Sequence, residues 1–364
     1  MFLAWKEIRY AKTRFSLIVG VLVLVSYLVY FLTGLAFGLA QDNRTSVDKW
    51  EAQAIVLADE ANSNIKMSVL PQGLIQDIEA DDVAILGQTA SVVSRDEQTE
   101  AEQEDNRISV TFFGIDSEQF LVPNIIEGEM FNKDFEAVAD ISLKEEYDIE
   151  IGDVLNIAGN DEQVTVVGFT ENARFNVAPV LYTTISTYQD VRFEAIEDSD
   201  EGRVSAFIIR DDDLNSVELG NEDLELLTIS EYIEEIPGYT AQVLTFALMI
   251  IFLIIIAAVV IGIFMFVLTV QKSSMFGVMK AQGISTKYIA TSVVSQTFIL
   301  SVIGVLIGLV LTIATAMVLP SVVPFAFNWY YNLIITVLIV LFALLGAFFS
   351  VRTVAKIDPL EAIG

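Results

Sequence analysis

Neither cysteine nor histidine occurs among the 364 residues, and each absence closes off a class of chemistry. Without cysteine there are no disulfides, so any extracytoplasmic part must be held by its own apolar core. Without either residue the usual ligands of zinc, copper and many haem sites are gone. A metal or haem would have to be held by Tyr, Met or carboxylate. No Ser/His/Asp or Cys/His nucleophilic set can be built, and the scattered carboxylates show no catalytic pairing, which argues against an enzyme. The phosphate-cradling pattern GxxxxGK[ST] is also missing, so the chain cannot bind ATP by that route. Acid runs such as Asp211-Asp212-Asp213 lack calcium-loop spacing and read as solvated loops.

What is present is two materials in one chain. The net charge is −29, yet 54% of residues are hydrophobic. The conflict disappears when charge is counted by region. Residues 41–240 hold 46 acids and 11 bases, net −35, and the remainder is net +6. Four uncharged stretches are each long enough to cross a bilayer, which takes about 20 apolar residues. The expected order is a cytoplasmic interfacial amphipathic helix (1–14), transmembrane helix one (15–40), an extracellular α+β domain (41–239) and transmembrane helix two (240–270). A cytoplasmic coupling segment (271–287), transmembrane helix three (288–319), a short outer loop (320–328), transmembrane helix four (329–350) and a cytoplasmic tail (351–364) follow. The bases at Lys6, Arg9, Lys12 and Arg14, at Lys272, Lys280 and Lys287, and at Arg352 and Lys356 place both termini inside the cell. The first apolar run exceeds the roughly 7–15 residues of a signal-peptide core, so it reads as a retained anchor. The fold class expected is an integral membrane α-helical protein, N-in/C-in, with a large outer domain between helices one and two. Gly34/Gly38 and Gly304/Gly308 stand in GxxxG register, suited to close packing or to a helix–helix or dimer contact.

Within the outer block, β-rich runs (AIVLAD, IKMSVL, ISVTFFGI, EQVTVVGFT, APVLYTTI, RVSAFIIR) are separated by Gly, Asp and Asn turn signals. Helical patterns around Ile75–Glu79, Ile185–Phe193 and Ser230–Ile236 make it α+β. The segment SRDEQTEAEQEDNR (94–107) is a solvated loop tip. A turn at Ile151-Gly152-Asp153 leads from a short helix into a strand.

These parts, in this order, resemble the FtsX-like or MacB-type permeases, the membrane subunits of type VII ABC transporters. The loop MFGVMKAQGISTKYI resembles that family's cytoplasmic segment after helix two, and VRTVAKIDPLEAIG resembles its closing motif. In the outer block, the segment from Val138 to Thr170 resembles the family's core-domain hairpin. One departure is local: where the family often has glutamate before the loop glycine, this chain has Met275-Phe276-Gly277, so that charge is missing. The start MFLAWKEIRYAKTRF and the segment EYIEEIPGYTAQ resemble haem-efflux permeases of Gram-positive bacteria.

The resemblance implies a plasma-membrane homodimer, surrounded by lipid and without nucleic-acid partners, driven by two copies of a cytoplasmic ABC ATPase that supplies the ATP hydrolysis. It implies haem as the substrate, taken from the outer leaflet. The alternatives are export of antimicrobial peptides, macrolides or lipids, and, in another class, non-transporting signalling to a cell-wall hydrolase. The expected ATPase-coupling set is Phe276, Val278, Met279, Lys280 and Gly283, with Phe276, Met279 and Lys280 on one helical face. The plain alternative is an interfacial turn with Lys280 snorkelling. The expected substrate set is Tyr239, Met249, Glu231, Glu235, Tyr27, Tyr30 and Phe31, with Tyr239, Met249 and Glu231 as possible iron ligands. Taken singly, Tyr239 reads sooner as an aromatic-belt residue and Met249 as packing; the functional reading rests on their clustering.

Overall fold

A computed structural model of the chain describes residues 12–95, 107–197, 199–320 and 322–355. The interfacial helix expected at 1–14, most of the charged loop tip and the closing motif fall wholly or largely outside the described residues. The chain divides into two compact units, residues 1–38 with 244–364 and residues 39–243.

The first unit is built on helices. Helix α1 (Lys12–Asp42) is the first helix among the described residues; the next membrane helices are Tyr239–Gln271, Thr286–Ala316 and Trp329–Ala355. All four are long and apolar enough to cross a membrane. Their packing depends on small residues. An added Cβ at Gly304 would lie 2.6 Å from Leu22 Cβ, and one at Gly308 would lie 2.1 Å from Ser26 Oγ. Ser26 Oγ in turn donates to the Gly304 carbonyl at 3.3 Å. The pair at Gly34 and Gly38 does a different job: it admits Phe325 and the Pro324 backbone from the outer loop. Both GxxxG pairs are therefore used for contacts inside one chain. Two apolar clusters fill the bundle. One holds Phe15, Ile18, Leu22, Ile261, Phe276, Ile289 and Val293; the other holds Val29, Tyr30, Ile254, Val305, Ile335 and Ile339.

The second unit is β-rich. Its main sheet comprises β1 (Ala54–Ala58), β2 (Asp82–Arg95), β3 (Ile108–Ile115), β4 (Ile125–Gly128), β5 (Glu136–Asp140), β6 (Val154–Ile157), β7 (Gln163–Thr170), β8 (Arg174–Phe175), β9 (Ala178–Thr184), β10 (Ala206–Arg210) and β11 (Leu224–Thr228). The pairings β9-β5-β7-β6-β2-β3 return to β9, so six strands close a ring. Closure leaves few edges open to other chains. The 14-residue β2 runs out of the ring and pairs with β10, followed by β1 and β11. Helices α2 (Thr45–Asp48), α3 (Ser142–Tyr147), α4 (Ile185–Phe193) and α5 (Ile229–Glu235) decorate it.

Two expectations change. IKMSVL is not a strand before Leu70: Ile65, Ser68 and Leu70 are buried while Met67 and Val69 are exposed. That burial spacing of three then two does not fit a pleat of period two. The longest strand, β2, has a polar and small centre (GQTAS) that separates its apolar run VAIL from VV and hides their continuity. Its Gly87 is demanded by Tyr188, whose Cδ1 would sit 2.2 Å from an added Cβ.

Filling the Gly308 contact is expected to destabilise the bundle. Overpacking of this kind costs about 1–3 kcal/mol. Thermal unfolding of purified Gly308→Leu should begin at lower temperature than wild type. Gly20→Leu is the control, since a Cβ there meets nothing within 4 Å, and it should melt with the wild type.

Candidate functional site

The two long helices that border the outer domain are tied to it by named contacts at its base. In the second unit, the guanidinium of Arg174 reaches Asp42 at 3.7 Å, Asp140 at 4.0 Å and Glu146 in a close charge-assisted hydrogen bond. Asp140 also accepts from the Ala173 amide at 2.7 Å. Asn176 and Val177 donate their amides to the Asn43 and Asp42 carbonyls. The last residues of α1 are thereby fixed to the ring. Burial pushes the Asp42 carboxyl above its ordinary value, and Arg174 opposes that shift.

The second long helix in chain order, following α5, is α6 (Tyr239–Gln271), one continuous helix. Its start is also held. Asn43 Nδ2 donates to Gln242 Oε1 at 3.3 Å. Tyr239, singled out as a possible iron ligand, is partly buried and packs against the domain core.

Glu231 is committed as well. It closes a capping box at the start of α5: its carboxylate accepts from the Thr228 amide at 3.0 Å and hydroxyl at 2.8 Å, while its own amide donates to Thr228 Oγ1 at 3.2 Å. These bonds hold the Glu231 carboxyl below its ordinary value. Glu235 ends the same helix and is exposed. Among the described residues no group of three Asp or Glu is placed to hold a metal.

In the first unit, Tyr30 is buried, with its hydroxyl 2.5 Å from Thr336 Oγ1. It is a core residue and not an open wall. Tyr27 and Phe31 differ. Their rings stack at 5.9 Å between centroids, and Phe31 stacks on Phe325 at 5.7 Å. The result is a flat aromatic ladder of three rings, the last contributed by the outer loop. Met249 is 42% exposed. It lies ten residues beyond Tyr239 on α6, about 15 Å along the axis at 1.5 Å per residue. One iron cannot take both ligands from one chain.

The segment after α6 is helix α7 (Ser273–Ala281), followed by α8 (Thr286–Ala316) and α9 (Trp329–Ala355). Gly283 has φ +87°. Its amide donates to the Lys280 carbonyl at 2.9 Å and that of Ile284 to the Met279 carbonyl at 3.0 Å. This is a Schellman cap, which calls for glycine at the left-handed position. Met279 and Ile284 both pack on the adjoining apolar cluster, the contact that usually accompanies the motif. Phe276, expected on an outward face, is 3% exposed and lies inside that cluster. Its apolar ring is better placed against Phe15, Ile289 and Val293 than in water. The exposed face instead carries Met275 and Val278, each 41% exposed. The i, i+3 relation of Met275 to Val278 is legible in the sequence as one helical face.

Residues 247–359 match the FtsX-like permease C-terminal family. Over the whole chain the sequence is 25% identical to a protein of Staphylococcus haemolyticus, covering 99% of that protein. It is 28% identical to counterparts in two strains of Staphylococcus epidermidis, again over 100% of this chain and 99% of theirs. All three carry the name hemin transport system permease protein HrtB, given as a provisional assignment. Among solved structures, the extracellular domain of the noncanonic ABC-type transporter YknZ aligns with 44% of this chain and 75% of its own, at 12% identity and a TM-score of 0.29.

The capping box gives a pH-dependent prediction. A carboxyl held low in the folded state stabilises above the ordinary carboxylate range and loses that contribution as pH falls through its folded value. Glu231→Gln should therefore be less stable than wild type near neutral pH, with the gap closing on acidification. Melting curves at several pH values check the sign.

Proposed function

We propose, on the premise that this chain is a multi-pass ABC-type permease subunit carrying an FtsX-like domain at 247–359, that it exports haem from the outer leaflet of the plasma membrane. The observation that carries the reading is the full-length similarity to three proteins named as hemin transport permeases. A permease of this kind works with a separate ATPase, which does the hydrolysis. We further propose that two copies of the chain pair with two ATPase subunits, with both termini in the cytoplasm.

The chemistry of the chain is consistent with such a cargo. Haem is flat and largely apolar, so it partitions into lipid and can enter laterally. The Tyr27–Phe31–Phe325 ladder offers a flat surface of matching character. With no His or Cys, axial ligation falls to Met or Tyr, both known as haem ligands. Met249 is the more available: its side chain is exposed, whereas Tyr239 is packed against the domain core. Glu231 would have to abandon its capping box to bind iron. Glu235 remains a second candidate on the outer domain.

Motor coupling is assigned to α7. Its outward residues Met275 and Val278 form an apolar spot, with Lys280 beside it, against which an ATPase groove could dock. Phe276, Met279 and the Gly283 cap support that face from behind. The continuous α6 then serves as the lever, since a helix satisfies its own backbone bonds in lipid and can move as a rigid rod.

Two measurements test these assignments. Titration of haem into the purified protein should give a saturable Soret shift that Met249→Ala alters and Tyr239→Phe leaves nearly intact; absence of any shift would sink the haem reading. Replacing Met275 and Val278 together with Ser, or reversing charge with Lys280→Glu, should reduce ATPase co-purification and stimulated hydrolysis by about tenfold, the equivalent of ~1.4 kcal/mol. Unchanged co-purification would remove α7 as the docking face.

A further inference from the structure

The outer domain contains one feature that the transport reading leaves unused. A cavity of about 380 Å³ opens in the second unit, lined among others by Lys49, Trp50, Phe120, Leu121, Tyr182 and Arg210. That volume falls within the range of small-molecule sites. The chain reaches it directly from α1: Lys49 and Trp50 follow α2, and Glu51 adopts φ +47°, turning the backbone into β1.

The lining is unusual for this domain in its surplus of hydrogen-bond donors. Only 11 bases stand among 46 acids in residues 41–240, yet two of them face this one cavity. Neither Lys49 nor Arg210 has a carboxylate within ion-pair distance among the described residues, unlike Arg44, Arg95, Lys144 and Arg174. Lys49 Nζ donates to Thr170 Oγ1 at 2.8 Å and to the Glu171 carbonyl. Arg210 donates one Nη to the Trp50 carbonyl at 2.7 Å and lays its plane on Phe120, 4.2 Å from the ring centroid. Its Nε, and the Nε1 of Trp50, are buried without a hydrogen-bond partner. Trp50 is 2% exposed and is held between Phe113 and Tyr232, so its N–H is fixed in place. The only carboxylate lining the cavity, Glu51, is exposed.

Buried donors without acceptors carry a free-energy cost, and natural proteins keep such groups where something else completes them. Trp50 and Arg210, which carry these unpartnered N–H groups, line the cavity together with Lys49, and one ammonium, one guanidinium and one indole N–H would be completed by a ligand rich in acceptors and negative in charge. Phe120, Leu121 and the partly exposed Val122 add an apolar wall.

We propose that this cavity is a binding site for a small organic carboxylate, its oxyanion held by Lys49, Arg210 and the Trp50 N–H and its carbon body set against Phe120 and Leu121. The site lies wholly within the outer domain and uses none of the residues assigned above to haem or to the ATPase. It gives the domain a way to sense or hold an anionic solute, separate from the route through the membrane.

The test is calorimetric titration of the full-length protein in nanodiscs with benzoate, neutral benzamide and inorganic phosphate. Benzoate should bind saturably, and benzamide and phosphate at least about tenfold more weakly, because one lacks the charge and the other the apolar body. Lys49→Gln and Arg210→Gln should each weaken benzoate about tenfold, consistent with loss of one charge-assisted bond. Trp50→Phe, which keeps the ring stacking and deletes only the N–H, should weaken it without lowering the melting temperature as far as Trp50→Ala. Should either charge variant fail to fold, Arg210→Lys together with Trp50→Phe still decides the matter. No saturable benzoate binding, equal binding of benzamide, phosphate binding as tight as benzoate (an inorganic anion only), or benzoate binding unchanged in the folded variants would each overturn the proposal.

Discussion

A backbone amide inside hydrocarbon has no water to bond to, and every other feature of the first unit answers to that constraint. It requires continuous helices, and the helices require uncharged runs. Once water is absent, helices no longer gain by hiding apolar surface from solvent, so they associate by close contact and by buried hydroxyls. The chain supplies both at the same point: Gly304 and Gly308 bring α8 against Leu22 and Ser26 of α1, and Ser26 bonds the Gly304 carbonyl. The tyrosine hydroxyls follow the same rule. Tyr27 lies 3.2 Å from Thr315 and Tyr30 lies 2.5 Å from Thr336, each pairing a phenol with a hydroxyl.

In the outer domain the constraint reverses. With a net charge of −35 in residues 41–240 and no disulfides, the domain must separate its carboxylates or neutralise them. Most are placed in solvent. Three exceptions converge on Arg174, which faces Asp42, Asp140 and Glu146; buried Asp211 instead accepts from the Asp81 and Asp213 amides. A guanidinium suits this task because its planar fork can serve several carboxylates at once. Breaking a buried pair by deleting one partner leaves the others uncompensated, so Arg174 ties the end of α1 to the ring strands more firmly than an apolar contact of equal size would. The same region holds the start of α6 through Asn43 and Tyr239. The domain thus grips both chain segments that enter it.

Much of this was legible in the sequence, and the reasons differ by element. The membrane helices were plain because hydropathy over 20 or more residues leaves few alternatives. Strands with continuous apolar runs, such as β1 and β3, were plain for a similar reason. Strand β2 was hidden because its middle faces Tyr188 and needs glycine and small polar residues there, which look like a loop when read alone. IKMSVL misled in the opposite direction, since its apolar residues do not alternate. At the candidate sites, residue type was readable and engagement only in part. Thr228-Ile229-Ser230-Glu231 carries the T-x-x-E pattern of a capping box, so the engagement of Glu231 was available in the sequence, whereas nothing in the local sequence reveals that Phe276 points inward.

That last difference bears on the coupling role proposed for α7. A docking residue that is exposed on both sides can only be pushed. Phe276 instead anchors the inner face of α7 to Phe15 and Ile289, while Met275 and Val278 stand on the outer face. The Schellman cap at Gly283 fixes the exit of α7 into α8, with Met279 and Ile284 sealing the joint. A displacement applied to the outer face therefore cannot be absorbed by α7 rolling on its own axis without exposing Phe276, whose burial is worth roughly 1.5–3 kcal/mol. Under the proposed coupling, the motion would pass instead to the helices packed around Phe276. Before Gly277 the chain thus has an apolar anchor directed into the bundle and no charge.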